Sequence, residues 1–221
     1  MQFLYLESSG TPSLKLEDEP FRYIVKVRRV KPGSLIQTRH LKDDTLYTYK
    51  VTEIGRRSAE LELVDQKELP LHGGSLHIGW CIIDPKSVEK SLPMLNQVGV
   101  KKITFIPCDY SQKNFDPSQE RLQKILISSC EQCGRSDLMA LDFCDSLQRF
   151  LDENPKCAIL DFNPNTTFES QAIDTVLIGC EGGFSEKERK MFAGHPVISF
   201  DMNLILRSET AAISVASKIL L

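Results

Sequence analysis

The feature that most limits what this chain can fold into is a change of periodicity near residue 75. From there on, short apolar runs alternate with helix-period stretches. The strand candidates are Leu76–Ile83, Lys102–Ile106, Cys157–Phe162, Thr175–Gly179 and Pro196–Phe200. Runs that are apolar on both faces suit strands covered on both sides, and strands alternating with helices build a parallel α/β sheet. Between them, Ser87–Val98 groups Val88, Leu92, Leu95 and Val98 on one face, with Pro93 expected to kink the helix or shift its start. Ser118–Cys133 groups Leu122, Ile125, Leu126 and Cys130, with Asp116 as N-cap, Pro117 at the first helical position and Gly134 as terminator. Leu147, Phe150 and Leu151 mark a short helix, and Ser208–Leu221 an Ala-rich one. Ligands of such sheets bind beyond the carboxyl ends of the strands, so the segments leaving those ends are the places to look for chemistry.

The first seventy residues have a different character. Thr45–Ile54 is rich in β-formers, Gly55-Arg56-Arg57 turns, and in Ser58–Val64 the residues Ala59, Leu61 and Leu63 alternate with Glu60 and Glu62, the pattern of a half-buried strand. Pro32-Gly33 marks another turn, and His72-Gly73-Gly74 a hinge that divides 1–72 from 73–221. The His-Gly-Gly run has a counterpart in the oxyanion loops of some hydrolases, but no GxSxG accompanies it, and it reads as a turn.

Formal net charge is −3, which argues against non-specific nucleic-acid binding by the molecule as a whole. The charge is unevenly spread. From Pro20 to Lys42 there are seven basic residues (Arg22, Lys26, Arg28, Arg29, Lys31, Arg39, Lys42) and no acid, either a solvated face or a footing for a phosphate backbone. The seven cysteines are scattered, mostly within apolar runs, and are expected as thiols of a reducing cytosol. Cys130 and Cys133 form a CxxC with no second pair, so no metal site is expected. The N-terminus lacks the form of a signal peptide and no apolar stretch has transmembrane length, which points to a cytoplasmic protein.

Two segments at strand ends carry the chemistry. Leu177-Ile178-Gly179-Cys180-Glu181-Gly182-Gly183-Phe184-Ser185 runs from a buried strand through a glycine-rich loop into a helix with a capping box, Ser185 and Glu188. Such a loop is a tight strand–helix turn or a backbone cradle for a ligand. It lacks both the dinucleotide and the P-loop fingerprints, which disfavours a nucleotide-dependent oxidoreductase. In Leu204-Ile205-Leu206-Arg207-Ser208-Glu209-Thr210-Ala211, an apolar stretch delivers Arg207 and Glu209 to a helix start. Glu209 there complements the helix dipole, whereas Arg207 opposes it.

These segments, IGCEGGFSEKE and MNLILRSETA, resemble the signature motifs of the RsmE family, the 16S ribosomal RNA uridine-N3 methyltransferases of the SPOUT class. Val27-Arg28-Arg29-Val30-Lys31-Pro32-Gly33 and Glu131-Gln132-Cys133-Gly134-Arg135 are similar to two further motifs of that family, in the same order. Cys180, Met202 and Leu204 depart from its usual proline, glycine and arginine, and Leu95–Val100 departs from its usual ATELGV. The resemblance implies an α/β architecture. A PUA-like RNA-binding β-barrel comes first, followed by a SPOUT-type parallel sheet with a trefoil knot, and the chains form a homodimer. It implies S-adenosylmethionine as cofactor and N3 of a uridine in the decoding region of 16S ribosomal RNA, within the small subunit, as target. It places the cofactor at Ile178, Gly179, Glu181, Gly182, Gly183, Met202, Leu204 and Leu206, catalysis at Arg207 and Glu209, and RNA at Arg22, Lys26, Arg28, Arg29 and Arg135. The alternatives are a SPOUT enzyme acting on another atom such as ribose 2′-O, or a non-catalytic RNA-binding assembly factor.

Overall fold

The structure, a computed structural model, describes residues 2–113, 115, 117–162 and 173–221. It consists of two compact units, Met1–His72 with Ile127–Leu138, and Gly73–Leu126 with Met139–Leu221.

In the first unit, β1 (Leu4–Tyr5) and β2 (Ser13–Leu16) precede a single helical turn, α1 (Asp18–Phe21), which runs on into a π-helical turn at Arg22–Val27. β3 (Leu35–Arg39), β4 (Thr45–Ile54) and β5 (Ala59–Glu68) complete a sheet of order β1-β3-β4-β5-β2, antiparallel except for β1 on β3. Register shifts at Thr48/Tyr49 and Val51/Glu53 mark bulges between β4 and β5, which increase local twist. The barrel expected from the sequence is thus a curled sheet with an open hydrogen-bonded order, around a core that includes Leu16, Phe21, Ile24, Tyr49, Val51 and Leu61. The β character expected of the first seventy residues fails at Arg22–Val27. The β-branched residues there are instead wound into a turn that buries Ile24.

Residues 127–138 close this unit. Glu131 accepts the Gln2 N–H on its carbonyl and the Tyr5 N–H on Oε1, both at 2.7 Å. Leu71 donates its N–H to Ser136 Oγ, and its carbonyl accepts the Ser136 N–H, both at 2.9 Å. Ser136 Oγ in turn donates to Asp44 at 2.8 Å.

The second unit holds β6 (His77–Cys81), α2 (Pro85–Gln97), β7 (Lys102–Ile106), the start of α3 (Gln119–Cys133), β8 (Ala140–Phe143), α4 (Leu147–Glu153), β9 (Ala158–Leu160), β10 (Thr175–Ile178), α5 (Glu186–Met191), β11 (Val197–Ile198) and α6 (Ser208–Leu220). Its six strands are all parallel, in the order β11-β9-β10-β6-β7-β8. The expected strands are all present. β8, which the sequence reading omits, is an edge strand whose residues are exposed or half-buried, so it carries no apolar signature. α2 runs without a break through Pro93 and begins two residues before the expected start, under an Asp84 cap. Ser118 Oγ accepts the Arg121 N–H at the start of α3, Gly134 ends that helix at φ +90°, and Asp116 lies outside the described residues. Glycine at 79 is a packing requirement, since a Cβ there would overlap the Phe150 ring.

The cysteines depart from the expectation of uniform thiols. Cys81 and Cys108 form a disulfide, because β6 and β7 are parallel neighbours and Cys81 stands opposite Ile106, two residues before Cys108. Among the cysteines outside this disulfide Cys133 is exposed, while burial pushes the Cys157 thiol up to about 12. No helix among the described residues is long and apolar enough to cross a membrane.

Candidate active site

The glycine-rich loop turns the chain back tightly at the end of β10. Cys180 and Gly183 form an isolated antiparallel bridge, with the Gly183 N–H donating to the Cys180 carbonyl at 2.9 Å. Gly183 takes φ +67°, and at Gly179 a Cβ would come within 3.2 Å of the Gly183 Cα. Both positions therefore resist a side chain. The loop feeds α5 through the expected capping box, in which Ser185 Oγ accepts the Glu188 N–H and Glu188 accepts the Ser185 N–H. Glu188 Oε1 also accepts the Asp109 N–H at 2.8 Å, tying the segment after β7 to the loop's far end. Cys180 is buried in this turn, where its Sγ donates to the Gly183 carbonyl at 3.6 Å and burial raises its thiol pKa.

Ser208 joins the two motif segments. Its Oγ accepts the Trp80 indole N–H at 2.8 Å and donates to the Gly179 carbonyl. The first residue of α6 is thereby fixed to the end of β10, which sets where Arg207 and Glu209 stand.

Two cavities open at these strand ends. The first, about 290 Å³, is lined by Ile178 to Phe184, by Met202 and Leu204 to Leu206, and by Leu160, Asp161, Phe162, Ser199 and Phe200 from the ends of β9 and β11. All eight residues expected around the cofactor line it. Arg189 also lines it, bound to Asp161 through two hydrogen bonds of 2.8 and 3.1 Å, and that carboxylate raises the Arg189 pKa. The second cavity, about 250 Å³, is lined by Ser87, Glu181, Ile205, Leu206, Arg207 and Glu209. Glu181, Ile205 and Leu206 are common to both. Neither Arg207 nor Glu209 makes an ion pair among the described residues. The sequence reading misses the β9 and β11 contributions and Ser87. Strand position could have signalled the former, but nothing in the local sequence marks Ser87.

The expected RNA-binding residues divide. Arg22, Lys26, Arg28 and Arg29 are exposed on the first unit, at and just beyond the π-helical turn. Arg29 takes φ +55°, a left-handed conformation that costs a non-glycine residue about 1 kcal/mol or more. Arg135 is different: it is 5% exposed and paired with Asp137 at 2.9 and 3.0 Å, so its guanidinium is not offered to a phosphate. Arg39, counted in the basic run, is also structural. It is 1% exposed, lies 5.6 Å over the Phe3 ring, and donates to the Asp44 and Leu69 carbonyls at 2.8 and 2.9 Å.

The second unit is a parallel sheet with a glycine-cradled cavity at its carboxyl edge, and its class is that of the RNA methyltransferases. Family models described as RNA methyltransferase domain and RNA methyltransferase PUA domain match residues 68–220 and 16–64. The chain belongs to the ribosomal RNA small subunit methyltransferase E family. The protein of that name from Helicobacter pylori strain J99 is 41% identical over 222 residues, 98% of each chain. Among solved structures, a ribosomal RNA small subunit methyltransferase E from Neisseria gonorrhoeae bound to S-adenosyl methionine aligns with TM-score 0.76 at 22% identity, over 99% of this chain and 96% of that one. A methyltransferase from Legionella pneumophila in complex with bound SAM aligns with TM-score 0.77 at 22% identity, over 98% and 95%.

Proposed function

We propose that this protein transfers a methyl group from S-adenosylmethionine to N3 of a uridine in 16S ribosomal RNA, in the decoding region of the small subunit. The observation that carries the reading is the pair of cavities sharing a wall at Glu181, Ile205 and Leu206. One is walled by a glycine loop and apolar side chains, and suits the cofactor. The other presents a guanidinium and carboxylates, and suits an acceptor base. The lining fits the cofactor, because Gly179, Gly182 and Gly183 bring bare backbone to the cavity wall, and Met202, Leu204 and Leu206 offer apolar cover. When bound, the cofactor supplies an electrophilic methyl group on a sulfonium.

The chain's residues do the rest. N3 of uridine carries a weakly acidic proton that must leave as the methyl group arrives. Glu209, or less directly Glu181, accepts it. Arg207 steadies the negative charge that spreads over the base oxygens, a contribution typically worth about 3 kcal/mol. The walls hold donor and acceptor in line. The base must be unpaired or flipped to enter.

Residues 1–72 serve as the RNA-binding part and 73–221 carry the chemistry. Arg22, Lys26, Arg28 and Arg29 meet the phosphate backbone, and Arg135 supports the fold rather than RNA. The reading also includes a cytoplasmic homodimer and a trefoil knot in the C-terminal part. The test is methyl transfer from labelled S-adenosylmethionine to small subunits from cells lacking the enzyme. Label should appear as 3-methyluridine and be lost in Arg207→Ala. Label on ribose 2′-O would replace the target atom, and no cofactor binding at all would leave an RNA-binding assembly factor.

A further inference from the structure

The second cavity holds one polar side chain with no part in the mechanism above. Ser87 lines it together with Arg207, Glu209 and Glu181. Ser87 sits in the first turn of α2, where the Asp84 cap takes its backbone N–H at 3.0 Å and Ser91 Oγ donates to its carbonyl at 2.7 Å. The backbone of Ser87 is thereby fixed from both sides. Its hydroxyl is not: Oγ stands 3.5 Å from Asp84 Oδ2, at the outer limit of a hydrogen bond. Ser87 is thus a half-buried residue of the cavity assigned to the acceptor, with a weakly held hydroxyl proton.

The acceptor's chemistry says what that proton is for. The N3 edge of uracil presents a carbonyl oxygen, an N–H and a second carbonyl oxygen, so a matching pocket offers donor, acceptor, donor. Glu209 or Glu181 provides the acceptor and Arg207 one donor. As N3 loses its proton, negative charge develops on both flanking oxygens, and one guanidinium addresses one of them best.

We infer that Ser87 is the second donor, its Oγ–H hydrogen-bonded to the uracil carbonyl on the side of N3 away from Arg207. This deepens the uridine-N3 reading and rests on it. The bond strengthens as charge develops, so Ser87 acts on kcat more than on KM. Removing a donor of this kind lowers kcat by about tenfold to a hundredfold, the weaker end of the range for oxyanion donors because the group is a neutral hydroxyl.

The experiment measures kcat and KM for wild type, Ser87→Ala and Ser87→Thr on unmethylated small subunits across the alkaline pH range. Ser87→Ala should lose kcat with KM little changed. The rising limb of its pH profile should move to higher pH, because the bound imide is a weaker acid without the donor. Ser87→Thr, which keeps the hydroxyl, should recover most of the rate. An unchanged kcat in Ser87→Ala overturns the assignment and leaves the wild-type reaction standing. A kcat loss with an unmoved pH limb and no rescue by threonine makes Ser87 merely structural and also overturns it. Failure of the wild type itself to make 3-methyluridine removes the uridine-N3 reading and this inference with it.

Discussion

Replacing Ser208 by alanine deletes one oxygen that serves the buried Trp80 indole and the half-buried Gly179 carbonyl. The Trp80 indole N–H loses its acceptor and the Gly179 carbonyl loses its donor, in a region where Trp80 is 0% and Ser208 5% exposed. A buried polar group left without a partner costs about 1–3 kcal/mol; the Trp80 indole bears that in full, and the Gly179 carbonyl, at the cavity wall, bears less. Counting both groups, with some relaxation, the second unit should lose about 2–4 kcal/mol. Trp80 is the chain's single tryptophan, so urea unfolding followed by its fluorescence reports on this unit and on this bond. With a slope of about 2–3 kcal/mol per molar urea, the midpoint should fall by about 1 M at unchanged slope. The same change loosens the end of β10 against the start of α6, so cofactor affinity should fall with stability. A midpoint shift below about 0.3 M would mean that neither partner depends on the hydroxyl, and the account of Ser208 as the joint between the motif segments would be wrong.

Other perturbations have defined outcomes. Gly79→Ala forces the Phe150 ring away from β6 and should cost about 1–3 kcal/mol in thermal or urea melts, with Phe150→Leu on the same background recovering part of it. His77, bonded to Thr104 at 2.8 Å, has its pKa pushed down to about 4 by burial and then by Lys102. The unfolded chain therefore takes up a proton near pH 6.5 that the native state refuses. Stability should fall as pH drops from about 6.5 to about 4, by on the order of 2 kcal/mol once partial solvent screening is discounted, and His77→Gln should flatten that slope. Breaking the Arg135–Asp137 pair with Arg135→Met should destabilise the first unit by about 2–4 kcal/mol while leaving the salt dependence of RNA binding unchanged. Arg29→Ala should instead flatten that salt dependence by about one unit of slope at little cost in stability.

The sequence is most legible where burial is two-sided. β6, β7 and β10 are apolar runs because successive residues, which point to opposite faces of the sheet, are all buried after the first, and their ends locate both motif segments. β8 escapes because Leu141 is its most buried residue and only half so. Arg22–Val27 escapes for the opposite reason: Tyr23, Ile24, Val25 and Val27 favour a strand, and only the packing of Ile24 and Phe21 against the curled sheet selects a helical turn. The cavity walls were half readable. Gly179 to Gly183 and Met202 to Leu206 are contiguous motifs, whereas Leu160, Phe200 and Ser87 arrive from separate elements that only the sheet order brings together. Charge alone could not separate Arg135 and Arg39 from Arg28 and Arg29, since the distinction lies in the carboxylate or carbonyls each one meets.

The way residues 127–138 complete the first unit has a consequence for how the molecule is made. The PUA-type segment leaves the ribosome early, but the partners of Tyr5, Asp44 and Leu71, namely Glu131 and Ser136, are synthesised only after β6, α2 and β7. These hydrogen bonds can form only after Gly73–Leu126 of the second unit has been translated. Folding in this chain is therefore not a strict procession from the N-terminus. A fragment released at residue 72 would keep the core from Leu4 to Leu61 but lack these hydrogen bonds.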